Sequence, residues 1–339
     1  MNIREARDNY LLDIKHLGQR TQVDYRYKLR IFVEWCERQA PPLQLEQVNN
    51  SVFSLFLEHL RETHTSHKAG CDISTRTLAG YYRVIKAFLN FCLEDEEYAE
   101  FVRVVTVKRL KRPKVEEFLI QPFSLEQVEA LLAACQKEMC ERLQMRAQVI
   151  VMLLWKTGIR ANELCTLRMV NVNLTRIDAS ITVMGKGLKE RRLPLEKECR
   201  DLLHKYIRKY CEPTIVEHTQ QALARFRGQK QRRPTEKEQT QIERTVRNEM
   251  TVFFSRVYKP MRVSGLEQLI HRLGDWASIE GVACTPHRFR HTCSRAFILN
   301  GGDIYELSKL LGHSSIITTE VYLKSLGVWD IVSRRTSRN

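Results

Sequence analysis

The apolar residues of the first hundred positions recur at helical spacing. Between 21 and 38, Tyr25, Tyr27, Leu29, Phe32, Val33 and Trp35 fall at mixed three- and four-residue intervals, the stripe of a buried helix. A second helix is predicted over 50–63. A third, over 74–93, opens Ser-Thr-Arg-Thr and keeps Leu78, Tyr81, Ile85, Phe88 and Leu89 on one side. Ser66 and Gly70 interrupt the pattern and predict a loop over 64–71. No strand alternation occurs before residue 103, so domain 1–103 is expected to be a bundle of four or five helices.

The pattern then changes. Arg103, Lys108, Arg109, Lys111, Arg112 and Lys114 place six cations in twelve residues with no acid, and Pro113 discourages a helix. This predicts a basic linker over 104–118, either a solvated connector, a tether along a phosphate backbone, or both. The second domain, 119–339, begins with a capping box at Ser124 and Gln127 and a helix to 137. A helix over 142–156 ends at Gly158, and a short one starts at 159–164. Residues 179–184 and 191–195 are β-like and predict a hairpin with Lys186 near its tip. Segment 212–250 holds eight Lys/Arg and six Asp/Glu, with Gly228 and Pro234, and predicts a charged helical excursion. Thr285-Pro286 starts a helix reaching about Leu299; others are predicted over 303–311, ending at Gly312, and over 315–324. The fold class expected is mainly α with a small antiparallel β-sheet.

Composition narrows the setting. A chain of 339 residues, 43% hydrophobic and 28% charged, is globular and long enough for two domains. The longest largely apolar stretch without a charge, 147–155, is nine residues including Gln148, against the ~18 of a membrane span. The N-terminus has no apolar core of a secretory signal, so a cytoplasmic protein is expected. Lys+Arg outnumber Asp+Glu by 55 to 40, a net charge of +15, which points to a polyanionic partner such as nucleic acid. Ten cysteines include no C-x-x-C pair; reduced core thiols are expected rather than a zinc ribbon or a disulfide framework.

Four local patterns carry the candidate chemistry. Arg160 follows a glycine-capped helix end, with Glu163 three residues on to orient it. Gly185-Lys186-Gly187 is a mobile cation in a turn that can approach a phosphate. His287-Arg288-Phe289-Arg290-His291 puts His287 and Arg290 on neighbouring turns of one face. Its His-His spacing would suit zinc, but Arg288 stands where a zinc protease needs Glu, so no metal is expected. His291 is read as a packed, supporting histidine. The fourth pattern is Leu310-Leu311-Gly312-His313-Ser314-Ser315, followed nine residues after His313 by Tyr322. Together these supply what metal-free phosphodiester cleavage requires. Guanidinium and imidazole donors stabilise the charged transition state. A tyrosine crowded by cations becomes a usable nucleophile, and a lysine can protonate the leaving oxygen.

The order Arg160, Lys186, His287-x-x-Arg290, His313, Tyr322 resembles the tyrosine recombinase (phage integrase) family. The surrounding words TGIRANEL, GKGLKERRLPL, TPHRFRH, LLGHSS and TTEVYLK match it too. The resemblance covers about 119–339 apart from 212–250, and 1–103 more loosely resembles the family's SAM-like core-binding domain. It implies that Arg160, His287, Arg290 and His313 cradle a scissile phosphate and that Lys186 is the general acid, assisted by His287. It implies a 3′-phosphotyrosyl bond at Tyr322, with no metal or ATP. It implies double-stranded DNA with paired recombination half-sites, clamped by the two domains. Four protomers would assemble on it through the C-terminal tail 325–339, whose Leu326, Val328, Trp329, Ile331 and Val332 form an apolar plug.

Two departures from the family pattern are visible. The 212–250 excursion is longer than the usual connection; it would touch flanking DNA, bind a neighbouring protomer, or serve neither. An arm-binding domain is not seen ahead of the core-binding region, which suits Xer-like and transposon-borne members. Two rival readings share the fold: a non-cleaving DNA-binding regulator and a type IB topoisomerase-like enzyme. An intact set of six speaks against the first, the two-domain layout and apolar tail against the second.

Overall fold

A computed structural model describes residues 1–63, 72–115, 120–185, 190–313, 315–316 and 319–320. Lys186, Tyr322 and the 325–339 tail lie outside the described residues. The chain divides into two units, Met1–Phe118 and Leu119–Asn339.

The first unit is built of helices α1 (Ile3–Asp13), α2 (Gln19–Glu37), α3 (Asn50–Thr63), α4 (Thr75–Glu94) and α5 (Val104–Arg109). Ser74 caps α4 by accepting from the Thr77 N–H at 3.1 Å. The apolar stripes meet in one core that includes Phe32, Trp35, Phe56, Tyr81 and Phe88, with Phe32 and Phe56 edge to face at 5.0 Å. Part of the segment expected to be a linker belongs here instead. Val107 and Leu110, three residues apart, are buried in this core, and the Lys111 N–H donates to Asn50 Oδ1 at 3.0 Å. A helical turn satisfies both the apolar pair and the charges, because Arg103, Lys108, Arg109, Lys111, Arg112 and Lys114 all remain exposed.

The second unit contains α6 (Leu125–Ala134), α7 (Glu141–Thr157), α8 (Ala161–Cys165), strands β1 (Val172–Asn173), β2 (Ser180–Met184) and β3 (Glu190–Pro194), and then α9 (Lys197–Tyr206), α10 (Glu212–Lys230), α11 (Glu236–Glu249), α12 (Val263–Trp276), α13 (Pro286–Leu299) and α14 (Ile304–Leu311). Helix α7 is buried on nearly every side, through Val149, Ile150, Val151, Leu153 and Leu154 among others, and is the axis of this core. The sheet is antiparallel in the order β1-β2-β3; Val183 faces Arg191 and Ile181 faces Leu193 across β2 and β3. The hairpin was expected; β1 adds a third strand.

Local chemistry sets the helix ends that matter. Ser124 and Gln127 form the capping box of α6. Thr285 caps α13 with Pro286 in its first turn. Asp303 accepts from the Tyr305 and Glu306 N–H groups at the start of α14. Gly158 (φ 61°) and Gly312 (φ 63°) end α7 and α14 in the left-handed region, which glycine enters without a Cβ penalty. A single π turn, Ile207–Cys211, joins α9 to α10, so the 212–250 segment starts as an extension of α9 and returns as α11. Of its helical residues only Thr214, Ile215 and Thr219 are buried. Cys36, Cys92, Cys135, Cys165, Cys199, Cys211 and Cys293 are free, buried thiols. Among the described residues no helix is long and apolar enough to cross a membrane.

Candidate active site

The last carbonyls of a helix have no partner within it, and its C-terminus carries partial negative charge. At the end of α14 three consecutive carbonyls are each met by a different arginine. Arg191 Nε donates to Leu310 O at 3.0 Å, Arg290 Nη2 to Leu311 O at 2.6 Å, and Arg160 Nη2 to Gly312 O at 3.0 Å. Arg290 also reaches the end of α7, donating through Nη1 to Gly158 O at 2.8 Å. The two glycine-capped helix ends are thus tied together by guanidinium groups.

One carboxylate braces the arginines. Glu163 accepts from Arg160 Nη1 at 2.9 Å and from the Arg160 backbone N–H at 2.9 Å. It also accepts two bonds from Arg191, at 2.7 and 2.6 Å. Its side chain is only 3% exposed. Burial alone would raise its pKa; the hydrogen bonds from Arg191 and Arg160 outweigh burial and hold it below the ordinary carboxylate range. The expected Arg160–Glu163 pair is present, and Arg191 joins it. Arg191 was not singled out in the sequence. Its signal is alternation: on β3 it shares a face with buried Leu193, and a cation on an inward face requires an acid.

Gly312 turns the chain so that the His313 N–H closes back on Ser308 O at 3.0 Å. His313 Nε2 then lies 3.0 Å from Arg290 Nη2, and Nδ1 lies 2.8 Å from Thr319 Oγ1. Burial first, then the charges of Arg290, Arg160 and Arg191, push His313 down to about 4. The turn leaves no room for a side chain at 312: a Cβ there would sit 2.9 Å from Arg191 Cδ.

On α13, Arg290 is buried and His287, one turn earlier in the first turn of the helix, is exposed. His291 is buried under His287, ring centroids 4.8 Å apart and perpendicular. Burial, then His287, Arg288 and Arg290, lower His291 to about 4. Arg288 donates to the Gln121 carbonyl.

The structure therefore joins Arg160, Glu163, Arg290 and His313 in one network with Arg191, and sets His287 beside it on α13. Three guanidiniums against one carboxylate leave a surplus of two positive charges in that network. The Arg160 side chain is 35% exposed, so this surplus faces an approaching anion through Arg160 and His287. Such an arrangement can hold a phosphate and stabilise charge that develops on it. The six basic residues over 103–114 belong to the first unit and are all exposed there.

A sequence profile described as the Phage integrase family matches residues 122–327. Tyrosine recombinase XerC of Anoxybacillus flavithermus is 26% identical over 316 residues, covering 92% of this chain and 89% of its own. Tyrosine recombinase XerC of Staphylococcus aureus is 29% identical over 329 residues, covering 95% and 91%. Among solved structures, the Tn1549 transposon integrase in complex with circular intermediate DNA superposes with a TM-score of 0.69 at 17% identity, covering 100% of this chain and 99% of that one. That likeness is one of fold.

Proposed function

This chain belongs to the phage integrase family and is a tyrosine-type site-specific DNA recombinase; on that premise we propose that it cuts and rejoins DNA through a 3′-phosphotyrosyl intermediate. The observation that carries this reading is the convergence of Arg160, Arg290 and His313 on the end of α14, with Glu163 and Arg191 bracing them. The scissile phosphate lies against Arg160, His287, Arg290 and His313. The Tyr322 oxygen attacks phosphorus, and its proton leaves to a base. The bond to the 5′-oxygen breaks, and Lys186 supplies that oxygen with a proton, with His287 assisting. The pentavalent transition state gathers negative charge on its non-bridging oxygens, where fixed donors are worth most.

The phosphotyrosyl link keeps the free energy of the broken phosphodiester. A 5′-hydroxyl can therefore attack it with no ATP and no metal. When that hydroxyl comes from a second duplex, strands are exchanged. The partner is double-stranded DNA carrying paired half-sites, and four protomers act on two duplexes, joined through the apolar residues of the 325–339 tail. The DNA is that of a mobile element, a reading tested by inverted half-sites flanking the gene.

The test is covalent trapping. Incubation with a nicked duplex, selected by the protein from a randomised pool, should give an SDS-resistant protein–DNA adduct. Tyr322→Phe should bind the same duplex and give none. An adduct formed by Tyr322→Phe would remove the nucleophile assignment.

A further inference from the structure

The α10–α11 pair takes no part in the network above, and its charge is unevenly distributed. At its base the charges are paired: Arg247 with Glu212 at 2.6 Å, and Lys209 with Glu141 at 2.5 Å. At its tip, residues 222–233 carry Arg225, Arg227, Lys230, Arg232 and Arg233 and no acid. Arg232 is engaged by Glu238 at 2.6 Å and lies over the Phe226 ring. Arg225, Arg227, Lys230 and Arg233 are exposed and form no ion pair among the described residues.

The tip also stands clear of the core. Beyond Thr219 no residue of α10 is buried, and none of α11 is. A 19-residue helix is about 28 Å long at ~1.5 Å per residue. Four cations crowded at the end of such a rod repel one another, a cost that a polyanion removes. A protein partner would ask for an apolar anchor. The tip has no exposed large apolar residue: Leu223 and Phe226 are half-buried, Phe226 lies against Arg232, and the exposed one of this pair is Val216, near the base.

We propose that the α10–α11 tip is a separate DNA-binding element that grips backbone phosphates through Arg225, Arg227, Lys230 and Arg233 without reading base sequence. It rests on the recombinase reading and adds to it a contact outside the reacting site. Lys and Arg on phosphates position a protein but carry no sequence information. The contact therefore strengthens binding to any duplex long enough to reach the tip.

The experiment compares the full chain with Arg225→Gln/Arg227→Gln/Lys230→Gln/Arg233→Gln, all exposed positions, by anisotropy on a 60-base-pair random-sequence duplex across a salt series. Each phosphate contact contributes ~0.9 to the slope of log affinity against log salt. The variant should show a slope shallower by about three to four, and weaker binding at low salt. The charge-keeping variant Arg225→Lys/Arg227→Lys/Arg233→Lys should restore both. An unchanged slope overturns the proposal, as does a variant whose only defect is in protomer association on DNA. Failure of the wild-type chain to bind any duplex is a different result and would strike the recombinase reading itself.

Discussion

Arg290 Nη2 lies 3.0 Å from His313 Nε2, and this contact fixes the state of the histidine. A guanidinium can only donate, so Nε2 must be the lone-pair nitrogen. The proton is then on Nδ1, which donates to Thr319 Oγ1 at 2.8 Å. The imidazole is neutral, in agreement with its pKa of about 4.

This state has a pH signature. His313 and His291 are both held near 4 by burial and neighbouring cations, whereas an unfolded histidine titrates near ~6.5. Between those values the unfolded chain binds protons that the folded chain refuses. Stability present above pH ~6.5 is therefore lost as pH falls towards 4. Ring NMR of the DNA-free protein should show both imidazoles neutral at pH 5.5, and denaturant midpoints should fall across the window. Titration of either ring near 6.5 would contradict the assignment.

Arg191 is predicted to be structural for the site. Arg191→Met leaves the buried Glu163 carboxylate with Arg160 alone. Breaking one side of a buried pair costs ~3–5 kcal/mol, to be read by urea unfolding. Adding Glu163→Gln should recover part of that loss, because the stranded charge is gone. A single-variant loss below ~1 kcal/mol, the range of an exposed pair, would show that the pair is not buried in solution.

Gly312→Ala tests the turn that presents His313. A left-handed φ costs a non-glycine residue ~1–2 kcal/mol, and the new Cβ meets Arg191 Cδ at 2.9 Å. Both stability and strand cleavage should fall. Wild-type values for both would show that the turn tolerates a side chain.

The basic segment after residue 103 makes its own prediction. Leu110→Ala should destabilise the N-terminal unit by ~2–5 kcal/mol, the range for truncating a buried leucine. Hydrogen exchange in α4 should accelerate. Unchanged protection would return Leu110 to a solvated connector.

Helix ends were legible because their causes are local. Ser124 with Gln127, Thr285 before Pro286, and the glycines at 158 and 312 act within a few residues. Arg191 was not legible, since its role depends on Glu163, 28 positions earlier. The segment 103–114 misled because six charges drew attention from Val107 and Leu110, two buried residues at helical spacing. Helix α12 went unassigned although Leu266, Leu269, Ile270 and Leu273 carry a clear stripe. The network of Arg160, Glu163, Arg290 and His313 joins residues more than 150 positions apart in the chain; hydrogen bonds at the end of α14 make it one site.

The central claim is that this network holds the phosphate being cut. Arg160 is its most accessible arginine, so Arg160→Gln should leave the fold and DNA binding largely intact. Adduct formation on the nicked duplex should slow by about 10²–10³, the scale of losing one charge-stabilising donor. Cleavage at the wild-type rate by a folded, DNA-bound Arg160→Gln protein would contradict it.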